Sequence, residues 1–106
     1  MAELHIKTLK CVKKHDPTGK DEAVLKIGSR VISGPHSLGK GDSTTVGARE
    51  PFTGSVTVTL IEEDGGKDDL LGTVKVLDTQ AGDGDLTGFF NDKTHADYHM
   101  TYDVHF

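Results

Sequence analysis

Five carboxylates, Glu62, Glu63, Asp64, Asp68 and Asp69, crowd into eight residues around Gly65-Gly66. Like charges packed this densely resist ionising together, so such a cluster is either relieved by a cation or splayed into water. Calcium takes about six to eight oxygen ligands and tolerates irregular geometry, which suits carboxylates on converging loops; magnesium keeps more of its water and fits less well. At the end of a strand, Glu62 and Asp64 lie two apart and point to the same side, and Asp69 returns on the far strand to close the ring. A second acidic pair, Asp16 and Asp21, stands in the loop KKHDPTGKDE.

The elements that must position these residues are short strands. Val56, Val58 and Leu60 alternate with Thr57, Thr59 and Ile61, and beyond the acidic loop Val74 and Val76 alternate with Thr73 and Lys75. Leu4 to Val12 reads as a first strand whose phase slips at Thr8-Leu9, as at a bulge. Ala23 to Ile27, Arg30 to Ser33, Ser43 to Val46 and Leu86 to Phe90 are further strands. They are separated by Gly28-Ser29, the polar stretch Gly34 to Asp42, a turn at Arg49 to Gly54 around Pro51, and the turn Asp78 to Asp85. Asp97 to Phe106 alternates most clearly, with Tyr98, Met100, Tyr102, Val104 and Phe106 on one face and His99, Thr101, Asp103 and His105 on the other. Eight strands without a helix predict an antiparallel Greek-key β-sandwich, all-β, spanning 1–106 as one domain.

Strand parity then groups the loops. In an antiparallel sandwich alternate connections emerge at the same end. Lys13–Glu22, Gly34–Asp42, Glu62–Asp69 and Asn91–Ala96 are therefore expected on one rim, where Asp16 and Asp21 meet the acidic cluster.

An acidic loop after a strand, followed by Lys67-Asp-Asp-Leu-Leu-Gly-Thr-Val74, resembles the third calcium-binding loop of the C2 domain, a calcium-dependent phospholipid-binding module. The family's pattern is Asp-x-Asp, several residues, then Asp, two apolar residues and Gly. Glu62, Asp64, Asp69, Leu70-Leu71 and Gly72 occupy those places, with the intervening loop one residue short. Asp16-Pro-Thr-Gly-Lys-Asp21 before Glu22-Ala-Val-Leu-Lys-Ile27 is similar to the family's first loop, also one residue short. Glu22-Ala23 stands where the family has Pro-Tyr. The resemblance implies a C2-like sandwich in the family's circularly permuted topology, with Ca2+ held by Asp16, Asp21, Glu62, Asp64 and Asp69. It also implies that the ion bridges to a phospholipid surface or a protein partner. Glu62 departs from the family's Asp by one methylene, which alters reach. Glu63 and Asp68 are expected to be solvated neighbours.

Other chemistry is weaker. The net charge of −5 disfavours nucleic acid, whose binding needs clustered Lys and Arg. Cys11 is the sole cysteine, so neither a disulfide within the chain nor a cysteine-rich zinc site can form, and it is expected in the core. No apolar run reaches membrane-spanning length and MAELHIKTLK lacks the features of a secretory signal, so the expectation is a soluble cytoplasmic protein that can act peripherally at a membrane. The rim loops offer Leu38 and Leu70 as apolar contacts and Lys13, Lys14, Lys20 and Lys40 for anionic headgroups. His36 and His95 fall in rim loops, where they could tune cation affinity with pH. If the first and last strands pair antiparallel at a sheet edge, His5 approaches His105, a pairing that suits zinc or nickel. Asp83 and Asp85 belong to the opposite end. The flanking strands exclude an EF-hand, and Gly41-Asp42-Ser43 lacks the strand–turn–helix context of a nucleophile elbow. The expected class is a non-enzymatic binding module. The alternative is a metal-independent protein-interaction or inhibitor scaffold with a solvated acidic rim.

Overall fold

The computed structural model describes residues 1–16 and 18–106, and of Asp64 the backbone alone. Eight strands run in order: β1 (Ala2–Lys13), β2 (Asp21–Ile27), β3 (Arg30–Leu38), β4 (Ser43–Phe52), β5 (Ser55–Asp64), β6 (Lys67–Leu77), β7 (Leu86–Phe90) and β8 (Asp97–His105). A short 3-10 turn, Asp78–Gln80, follows β6. Two four-stranded antiparallel sheets result, ordered β4-β1-β8-β7 and β3-β2-β5-β6. The eight-stranded Greek-key sandwich is the architecture that the alternation and turn spacing predict. Among the described residues no helix is long and apolar enough to cross a membrane.

The core lies between the sheets and follows the period of two. From β8 it takes Tyr98, Met100, Tyr102 and Val104, leaving His99, Thr101, Asp103 and His105 on the outer face. From β1 it takes Leu4 and Ile6, then Leu9 and Cys11. That change of phase is the expected bulge: the ladder to β8 steps from Ile6↔Tyr102 to Thr8↔Thr101, so Lys7 is the extra residue.

Three expectations need correction. β3 extends to Leu38 and β4 to Phe52, so most of Gly34–Asp42 and Arg49–Gly54 is strand rather than loop. Both are edge strands. Pro35 and Pro51, which look like turn residues, lack an N–H that an edge strand can do without. The acidic loop is also shorter than its composition suggests. β5 and β6 pair through Glu62↔Asp69 and Asp64↔Lys67, and only Gly65-Gly66 turns, both with positive φ of 53° and 102°. Two residues in left-handed conformations match the twist of a two-residue hairpin. Finally, β1 and β8 do pair antiparallel, but at the centre of their sheet rather than its edge.

The length of β5 decides where Glu62 points. Val58 and Leu60 face the core, and two residues on, the same side of the strand carries Glu62, only 3% exposed.

Candidate metal site at the loop rim

The rim is built from the segments joining β1 to β2, β3 to β4, β5 to β6 and β7 to β8, the set that strand parity groups. Their contacts tie them together. His95 Nε2 lies 3.2 Å from the His15 carbonyl oxygen, and the two imidazoles stack with centroids 5.4 Å apart. Cys11 N–H donates to the Asp42 carbonyl at 2.8 Å, and Gly41 N–H donates to the Cys11 carbonyl at 2.8 Å.

Asp21 organises the first of these loops. It is fully buried, and its Oδ2 accepts from the His15 N–H at 2.7 Å and from the Tyr98 hydroxyl at 2.6 Å. Its Oδ1 accepts from the Asp16 N–H at 2.8 Å. Three donors on one carboxylate satisfy a buried charge that would otherwise be strongly unfavourable. Burial, then the bond to Asp21, holds the Tyr98 phenol far above its ordinary titration range. Asp16 Oδ1 accepts from the Thr18 N–H at 3.0 Å.

At the centre of the rim, His15 Nδ1 lies 3.2 Å from Glu62 Oε1 and 3.9 Å from Asp69 Oδ2. These three side chains form one of two groups among the described residues whose ligand atoms all lie within 4.8 Å of one another. Burial pushes the Glu62 carboxyl above its ordinary range. The His15 contact opposes that shift and neighbouring Asp21 reinforces it. Glu62 is thus a carboxyl removed from water, beside other carboxylates, with the His15 imidazole and the Glu22 backbone as polar partners.

The five residues of the sequence reading divide accordingly. Glu62 and Asp69 sit together as cross-strand partners. Asp21 is close enough to influence Glu62, but its oxygens are occupied by protein donors. Asp16 is half-buried in the same loop. The Asp64 side chain lies outside the described residues. Glu63 and Asp68 are exposed. His15 is the residue that the sequence reading passed over, although it directly precedes Asp16. His36 lies within β3, its Nε2 2.7 Å from Ser33 Oγ. Leu38 is buried at 3%, so of the two rim leucines only Leu70, 41% exposed, can reach outward.

Gly72 holds the two sheets together beneath the rim. A Cβ there would stand 2.7 Å from Phe90 Cα and 2.9 Å from Asp92 Oδ1. The close approach lets Asp92 accept from the Thr73 N–H at 2.9 Å and from Thr73 Oγ1 at 3.1 Å. Burial alone would raise the Asp92 carboxyl, but these bonds outweigh it and leave it below its ordinary range.

A solved structure described as a C2 domain matches over 100% of both chains, with a TM-score of 0.63 and 12% identity. The C2A and C2B domains of extended synaptotagmin 2 match over 98% of this chain and 39% of that one, with a TM-score of 0.57 and 15% identity. Their calcium-bound form matches over 97% and 44%, at 0.61 and 15%. The chain has a C2-like fold. No protein-family model and no curated protein matches it. Within the C2-like frame, the Asp-Leu-Leu-Gly run acquires physical content. Asp69 faces the rim, Leu70 faces out, Leu71 is fully buried, and Gly72 admits the Phe90 backbone.

Proposed function

We propose that this chain is a non-enzymatic C2-type module that binds Ca2+ at the loop rim. The observation that carries the reading is Glu62, a carboxyl 3% exposed beside Asp69 and Asp21 and paired, among the described residues, with no lysine or arginine. A buried charge without a fixed counter-ion favours binding of a cation. Glu62, Asp69, Asp16 and Asp64 serve as oxygen ligands. Asp21 acts mainly by holding the His15–Asp16 backbone in place through its hydrogen bonds. Calcium takes oxygen ligands, so His15 withdraws from Glu62 when the ion enters.

The ion bridges to an anionic partner, for which the resemblance favours phospholipid headgroups over a protein. Docking is electrostatic: Leu70 is the one exposed rim leucine, and Lys13, Lys14, Lys20 and Lys40 supply positive charge. The protein then works peripherally at a membrane surface. Thermal melts in calcium and in chelator test the ion, and sedimentation with phosphatidylserine or phosphatidylcholine vesicles tests the partner. At free calcium about 100 times Kd, linkage adds about 2.7 kcal/mol. Identical melting midpoints at millimolar calcium would contradict the reading.

One contact favours a second reading, the metal-independent scaffold. His15 Nδ1 lies 3.2 Å from Glu62, so the imidazole can itself satisfy the buried carboxyl. On that reading calcium leaves the midpoint unchanged, and His15→Ala lowers it by removing the partner of a buried carboxyl.

A further inference from the structure

The second group of ligand-type side chains lies away from the rim, on the outer face of the sheet where β1 begins and β8 ends. Its members are His5, Asp103 and His105, with ligand atoms all within 4.8 Å of one another. The β1–β8 ladder places them: Glu3 pairs with His105 and His5 with Asp103, so four side chains form a square on one face of the two central strands. Here β1 is paired on both sides, to β4 and to β8, and the ladder fixes the spacing before any ligand arrives.

His105 Nε2 lies 3.1 Å and His5 Nδ1 lies 3.8 Å from the same oxygen, Asp103 Oδ1. Ligand atoms bound to one tetrahedral zinc at about 2.0–2.1 Å stand roughly 3.3 Å apart, a spacing that these two distances bracket. Asp103 Oδ1 is buried and accepts no hydrogen bond among the described residues. Its partner oxygen Oδ2 faces Lys7 Nζ at 3.5 Å, and Lys7 is also held by Asp85 at 2.6 Å. The lysine therefore addresses the other side of the carboxylate.

Glu3 completes the arrangement. Its Oε1 is 2.5 Å from His5 Nε2. An ionised carboxylate only accepts, so His5 donates through Nε2–H, and in the neutral ring the lone pair lies on Nδ1, the nitrogen facing Asp103. A carboxylate that orients a metal-binding imidazole in this way is the usual second-shell partner of a histidine ligand.

We propose that His5 Nδ1, His105 Nε2 and Asp103 Oδ1 form a site for a borderline divalent cation of the zinc, nickel or copper class, with Glu3 as positioning residue. Two imidazoles and one carboxylate suit these ions and not calcium. His105 is 53% exposed, so the fourth position opens to water or to a ligand from another molecule.

Zinc titration by calorimetry, with the histidine ring resonances followed by NMR, tests this on the whole chain. His15→Ala removes the rim imidazole and serves as the background, since the rim group could also take zinc. Zinc is expected to bind this background at one equivalent and to shift the His5 and His105 rings. His105→Ala, an exposed change, is expected to weaken binding at least about 10-fold, and Glu3→Gln roughly 10-fold. Unaltered affinity in His105→Ala, no binding to the His15→Ala background, or ring shifts confined to other histidines would each overturn the assignment.

Discussion

The loop rim and the outer face of β1–β8 both gather carboxylates and imidazoles, yet they are built on opposite terms. At the rim the ligand-type groups come from three strands and a loop, and the key carboxylate, Glu62, is driven inward by the alternation of β5. On the sheet face they come from two paired strands, and their spacing is set by the ladder itself. The rim group, His15, Glu62 and Asp69, is rich in oxygen with one imidazole; the face group is rich in nitrogen with one principal carboxylate oxygen. Their electrostatics differ in sign as well. Burial raises the Glu62 carboxyl. At Asp103 burial also pushes upward, but His105 and Lys7 outweigh it and the carboxyl is lowered. At the rim burial works against the carboxylate; on the face a lysine already stands beside it.

The largest effects should come from breaking what holds the rim while leaving the face intact. Gly72→Ala forces a Cβ against the Phe90 backbone, and overpacking of this kind costs about 1–3 kcal/mol. Denaturant unfolding measures the loss, and zinc affinity at the sheet face should be unchanged. Tyr98→Phe removes one of three donors to buried Asp21, with a cost of about 1–3 kcal/mol and weaker calcium binding. Equal loss of calcium and zinc affinity would erase the distinction between the two regions.

A smaller effect separates them by pH in the metal-free protein. Glu62 has a raised folded pKa, so its contribution to stability is fully present below its unfolded value and is lost as pH rises through the folded value. Glu62→Gln should therefore gain stability relative to wild type as pH rises above about 4.3 towards neutrality. Asp103 has a lowered folded pKa, so its contribution is present above the unfolded value of about 3.9 and is lost as pH falls through the folded one. Asp103→Asn should fall behind wild type at neutral pH and converge with it in acid. Chemical denaturation across pH 2–7, run with chelator, reads both slopes. Slopes of the same sign would break the comparison. The smallest change is expected for Lys7→Ala, an exposed pair partner, whose melting midpoint should stay close to that of wild type.

Much of this arrangement is legible in the chain. The strict alternation from Tyr98 to Val104 assigns core and outer face, and the phase slip after Ile6 marks the bulge at Lys7. Strand parity groups the rim loops before any contact is known. What escapes is where local and tertiary signals disagree. The segments holding Pro35 and Pro51 read as a polar loop and a turn because sequence does not say which strands lie at an edge. The run of acids reads as a loop because their charge masks the strand period, so the inward turn of Glu62 is hidden. His15 escapes because its role comes from a meeting with β5 that only the closed sandwich produces. On the sheet face, His5 and His105 can be paired in advance, but Asp103 becomes their shared neighbour only once register is fixed.

Calcium at the rim is the central claim, and calorimetric titration of Ca2+ into metal-free protein tests it most directly. Wild type should bind, and the double variant Glu62→Gln, Asp69→Asn should lose that binding while still taking zinc at the sheet face. Absence of calcium heat in a folded wild-type protein, or equal calcium affinity in the double variant, would contradict it.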